Sequence, residues 1–119
     1  MLSRVFWRWS VASSACYLSP LAELSAGVSL PHPTGIVIGE GVQVGPGAII
    51  FQNVTVGRAR ATTANYPVIG RAVMIYAGSV IVGGIRVGDG ATIAANAVVL
   101  SDIPAGATAV GAPARVLRA

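Results

Sequence analysis

The stretch VIGRAVMIYAGSVIVGGIRVGDGATIAANAVV, Val68 to Val99, carries an aliphatic residue at every sixth place: Ile69, Ile75, Ile81, Val87, Ile93 and Val99. A helix needs apolar residues at a period of about 3.6, and an ordinary half-buried strand alternates at a period of two. Neither produces a strict six. A triangular coil does. Each side is a short strand of one hexad, and each corner is a tight turn that favours Gly, Asn or Asp. Three hexads make one turn of the coil, and successive turns stack at about 4.8 Å, the spacing of neighbouring strands. The aliphatics then form ladders along the axis. No single coil can bury its own face, so the stack is the folding unit.

The same frame extends toward the N-terminus as Ile38, Val44, Ile50 and Val56, and before that as Leu18, Leu24 and Leu30. Two breaks interrupt it. Ile36 and Val37 shift the frame by two residues, and residues 57–68 suspend it. The residue after the aliphatic is often small (Gly39, Gly45, Gly57, Gly70, Gly88, Ala94). The fourth residue after it is small or β-branched (Val42, Ala48, Val54, Val73, Ser79, Ile85, Ala91, Ala97). The expected organisation is an N-terminal arm or short helix over residues 1–17 and a β-helix over 18–119. The β-helix has a protruding loop at 57–68 and a C-terminal cap at 100–119.

With 119 residues the chain forms one small domain. Hydrophobic residues make up 54% and charged residues 10%, too apolar a mixture for a disordered chain. The long uncharged stretches are broken by Gly and lack the roughly 20 unbroken apolar residues of a spanning helix. At the N-terminus, Arg8 interrupts the apolar run that a secretory signal needs. The mixture of Trp7, Trp9 and arginine there leaves a weak membrane-surface contact open. Cys16 is the single cysteine and cannot form an internal disulfide, so the default is a reducing, cytoplasmic setting. The net charge of +4 comes from scattered arginines, with no basic stripe interleaved with aromatics. Nucleic-acid binding is therefore a weak reading, and a small phosphorylated ligand suits the distribution better.

Three segments, in order, resemble the hexapeptide-repeat acyltransferases, and their serine acetyltransferase branch above all. LPHPTGIVIGEG (Leu30 to Gly41) is similar to that branch's histidine motif. IIFQNVTVG (Ile49 to Gly57) resembles the coil before its protruding loop. The stretch from Val68 onward, ending in GAPAR (Gly111 to Arg115), resembles its CoA-binding coils and terminus. The resemblance implies a left-handed β-helix, although general crossover rules favour the right hand. It also implies a homotrimer, with acetyl-CoA as co-substrate and no permanently bound cofactor or metal. The activity implied is transfer of an acetyl group to a hydroxyl.

The sequence departs from that branch where the branch contacts its acceptor. Tyr17 stands where an Asp orients the histidine, Pro31 where an Asp precedes it, and Asn65 and Tyr66 where the loop has Arg and His. Together with the LPHP segment, these departures favour a sugar or polysaccharide precursor as acceptor, with serine the alternative. A non-catalytic scaffold is the second alternative. A regular Thr ladder, as an ice-binding face requires, is absent, and one histidine with one cysteine cannot form an ordinary intrachain zinc site.

His32, the only histidine, is the candidate general base. Imidazole, with an ordinary pKa of about 6.5, suits removal of a hydroxyl proton as oxygen attacks a thioester. Its orienting partner is either a backbone carbonyl or Glu40. The backbone N–H near Gly57 or Gly78 is the candidate donor to the developing oxyanion. From the resemblance, Gly57, Ala77, Gly78, Ala94 and Ala95 lie along the path of a pantetheine arm. Their smallness is equally the ordinary preference of the repeat. Arg115 and Arg118 can meet CoA phosphates or form a solvated tail. Arg58, Arg60 and Tyr66, in the loop, are the acceptor-binding candidates. The loop is otherwise decoration.

Overall fold

The structure, a computed structural model, describes residues 15–60 and 65–117. Most of the expected arm lies outside these residues, as does Arg118. Cys16 and Tyr17 already belong to the first coil: Cys16 is buried, and the Tyr17 amide donates to the Ile36 carbonyl at 2.8 Å.

The strands are very short, as the hexad reading requires. The first coil has β1 (Tyr17–Leu18), β2 (Glu23–Leu24) and a bridge at Ser29. The second has β3 (Val37–Ile38), β4 (Gln43–Val44) and β5 (Ile49–Ile50). The third has β6 (Thr55–Gly57), β7 (Val68–Ile69) and β8 (Met74–Ile75). The fourth has β9 (Val80–Val82), β10 (Arg86–Val87) and β11 (Thr92–Ile93). The last has β12 (Val98–Val99), a bridge at Ile103 and β13 (Thr108–Val110), followed by β14 (Arg115–Leu117).

These strands form three parallel sheets, one per side of the prism. The first face runs β1-β3-β6-β9-β12, the second β2-β4-β7-β10, and the third β5-β8-β11-β13 with β14 added at its edge. Only β14 pairs antiparallel. The coil is left-handed, as the resemblance implied.

Register follows the six-residue frame. Leu18, Ile38, Val56, Ile81 and Val99 lie in line on the first face. Leu24, Val44, Ile69 and Val87 do so on the second, and Ile50, Ile75, Ile93 and Ala109 on the third. The fourth residue after most of them also faces inward: Val42, Ala48, Val54, Val73, Ser79, Ala91 and Ala97 are all 0% exposed, and Ile85 is partly buried against the same core. The core is thus two residues per side, repeated along the axis.

Two details differ from the sequence frame. Ile36 is fully buried and fills the inward place that Val54 fills one coil later, while Val37 points out. The extra pair of residues therefore lies in the turn 31–35, not at Ile36–Val37. The ladder also continues past Val99. Ile103 bridges Val87 after a step of four residues, so a strict count of six loses it.

The corners are built from left-handed backbone. Gly27, Gly47, Ala72, Gly90 and Gly106 have positive φ and recur at the corner after the second face. Gly35, Asn53, Gly78 and Asn96 do so at the corner after the third. Amides there also bond along the axis: Asn53 N donates to Thr34 O at 2.9 Å, Gly78 N to Gln52 O at 3.1 Å, and Asn96 N to Ala77 O at 3.0 Å.

Ile75 sits between Ile50 and Ile93 and is 0% exposed. Ile75→Ala leaves a cavity that stacked neighbours on two sides cannot close. The expected loss is about 2–5 kcal/mol of stability, read as a lowered denaturation midpoint in urea. A midpoint equal to that of the parent would mean that the ladder does not support the fold.

Candidate active site

His32 lies in the enlarged turn 31–35, between the third and first faces, and is exposed. The two added residues push this turn out of the hexad path, which keeps the imidazole off the core. Its ring stacks on Phe51 of the next coil, centroids 6.1 Å apart and planes 24° apart. Phe51 in turn stacks on Tyr76 of the coil after, at 5.2 Å and 7°. Phe51 and Tyr76 each follow an inward aliphatic, Ile50 and Ile75, so the repeat places them one above the other. The sequence reading overlooked this stack, although their shared hexad position could have revealed it.

Further along the same corner come Ala77 and Gly78, then Ala94 and Ala95. Ala95 is exposed, and Ala77 and Ala94 are partly so. The corner is braced from inside. The buried Ser79 hydroxyl lies 2.8 Å from the Tyr76 carbonyl and 2.9 Å from that of Ala94, tying two coils together. Gly78 has its own structural reason to be glycine: φ is +76°, and a Cβ there would strike the Asn96 side-chain oxygen. Its N–H is committed to the Gln52 carbonyl, so Gly78 does not supply a free oxyanion donor. Gly57 is different. It has no positive φ, and a Cβ there would meet nothing within 4 Å, so the packing described does not demand a glycine.

Arg58, Arg60 and Tyr66 lie on another corner, between the first and second faces. Tyr66 folds back over Gly39 and Gly41, close enough that a Cβ on Gly41 would collide with its ring. Its hydroxyl donates to Glu40 Oε1 at a long 3.4 Å, and the Arg58 guanidinium lies over its ring at 5.8 Å, within cation–π range. Glu40 therefore serves Tyr66 and does not orient His32 within the chain. A groove opens here, lined by Glu40, Gln43, Asn65, Tyr66, Arg86 and Asp102 among others. Asp102 Oδ1 accepts the Arg86 backbone N–H at 2.9 Å.

One chain thus brings His32 together with Ala77, Gly78, Ala94 and Ala95, and gathers Arg58, Arg60 and Tyr66 elsewhere. The first face separates the two groups. Arg115 lies on neither corner; it begins β14 at the edge of the third face and is exposed.

A family profile described as "Bacterial transferase hexapeptide (six repeats)" matches residues 66–101. The serine acetyltransferase of Helicobacter pylori strain J99 is 41% identical over 101 residues, 84% of this chain and 59% of that protein. By sequence and by fold, the chain is similar to the serine acetyltransferase branch of the hexapeptide-repeat transferases. Two solved structures agree. A serine acetyltransferase in complex with CoA superposes with a TM-score of 0.86 at 37% identity, covering 98% of this chain and 48% of that one. The Neisseria gonorrhoeae serine acetyltransferase in complex with serine gives 0.87 at 36%, again covering 98% and 48%. The chain spans about half the length of these solved relatives.

Gly41→Ala drives a methyl group into the Tyr66 ring. The ring is the far end of a flexible side chain, so the fold should survive with a melting temperature close to that of the parent. Amide exchange at Asn65–Val68 should quicken as the strap lifts. Unchanged exchange there would show that Tyr66 does not hold the loop.

Proposed function

We propose that this domain is the catalytic part of an acetyl-CoA-dependent O-acetyltransferase acting on the hydroxyl of a small amino acid of the serine type. The observation that carries the reading is the content of one corner. His32 stands at one end, the Phe51–Tyr76 stack beside it, and the small residues Ala77, Ala94 and Ala95 further along. A pantetheine arm laid along the alanines delivers its thioester toward the imidazole. His32 takes the acceptor's proton as the hydroxyl oxygen attacks the thioester carbonyl. The tetrahedral intermediate collapses, the C–S bond breaks, and the imidazolium returns the proton to the CoA thiolate. The products are an acetyl ester and free CoA. Gly57, with open space where a side chain would stand, suits close approach of a ligand, and Arg115 suits a CoA phosphate. A cytoplasmic setting belongs to the same reading.

The sequence reading favoured a sugar acceptor. The serine acetyltransferase relatives, including one solved with serine, favour the amino acid, and that reading replaces it here.

The separation of His32 from Arg58, Arg60 and Tyr66 supports a site shared between copies of the chain. Two different corners meeting make a head-to-tail contact, which gives a ring when the rotation between copies closes, and a trimer is the ring proposed. Light scattering at micromolar concentration should give three times the chain mass. A stable monomer that turns over at full rate would overturn the shared site.

His32→Asn should lower turnover by about a hundred- to ten-thousand-fold. Acetyl-CoA should still bind in a calorimeter, because the alanines lie on later coils. A variant that kept more than about a tenth of parental turnover, above the range left by loss of a general base, would make His32 structural.

A further inference from the structure

We infer that Arg86 is the residue that anchors the acceptor's carboxylate. This rests on the amino-acid acceptor proposed above. The groove beside Tyr66 draws its polar walls from four coils: Glu40 and Gln43, then Asn65 and Tyr66, then Arg86, then Asp102. It contains both signs of charge. Among the described residues, no ion pair or hydrogen bond engages the Arg86 guanidinium, and neither Glu40 nor Asp102 pairs with it. Asp102 instead accepts the Arg86 backbone amide, which pins the start of β10 and leaves the exposed side chain to the groove.

A groove that keeps a guanidinium and two carboxylates apart fits a small ligand that itself carries both charges. The planar guanidinium matches a carboxylate through two parallel N–H bonds. An ammonium group on the same ligand then faces Glu40 and Asp102. Neither loop arginine, Arg58 or Arg60, lines the groove. Arg58 lies over the Tyr66 ring, and Asn65 is neutral. Asn65 also packs close to Gly84, where any Cβ would come within 2.8 Å of its own. That glycine lets the loop end settle against the coil that carries Arg86, so Asn65, Tyr66 and Arg86 share one groove. In a ring of copies, this groove supplies the acceptor to the His32 corner of the next chain.

The test uses the full chain with two acceptors, L-serine and L-serinamide, which lacks the carboxylate. Arg86→Gln should raise the KM for L-serine by roughly ten- to a hundredfold, the range for loss of a charged hydrogen bond. It should leave kcat/KM for L-serinamide and acetyl-CoA binding at parental values. Arg86→Lys, which keeps the charge but not the fork, should recover part of the loss. An unchanged KM for L-serine in Arg86→Gln, or an equal loss with both acceptors, would overturn the role of Arg86 while the acceptor class stands. A parent that acetylates neither compound but does acetylate a neutral sugar would overturn the amino-acid acceptor, and the role of Arg86 with it.

Discussion

A two-residue strand cannot stand alone. Each side of this prism contributes a pair of inward side chains and a few backbone bonds, and both gain partners only when another coil stacks above or below. That constraint of mutual burial along one axis governs the rest of the molecule. It requires aliphatics at a fixed phase, because one slipped residue would turn every later side chain outward. It requires left-handed backbone at the corners, because the chain must turn within a few residues. Variation is then free only at the corners, and both candidate functional groups lie there.

The consequence for chemistry is a division of labour between corners. Enlarging the turn 31–35 by two residues moves His32 off the packed path without disturbing the ladder, since Ile36 returns at once to an inward place. Inserting residues between β6 and β7 does the same on another corner, where Tyr66 folds back over Gly39 and Gly41. Neither corner holds a complete set of acid–base and acceptor contacts. The proposed shared site completes that set by bringing edges of different copies together.

Much of this was legible in the sequence. The aliphatics from Leu18 to Val99 take the predicted register because their phase is imposed by burial, which composition records directly. The slip was misplaced because Ile36 and Val37 look alike on paper, and only stacking against Val54 and Thr55 shows which one faces in. The rung at Ile103 was missed because its step from Val99 is four residues long. His32 stood out through its motif. The ring stack below it and the groove around Arg86 did not, because each joins residues from successive coils that lie far apart in the chain.

The stack also makes the candidate active corner a ruler. From His32 through Phe51 and Tyr76 to Ala94–Ala95 is three coil steps, or about 14 Å at the usual strand spacing. Distance along this edge comes only in whole rungs. Single substitutions can roughen a rung but cannot move it. To set the imidazole nearer to or further from the alanines, a lineage would have to gain or lose a full turn of three hexads, a change that the core would accept as readily as it accepts its present number of coils. In such a molecule the reach of a co-substrate is written as a count of repeats.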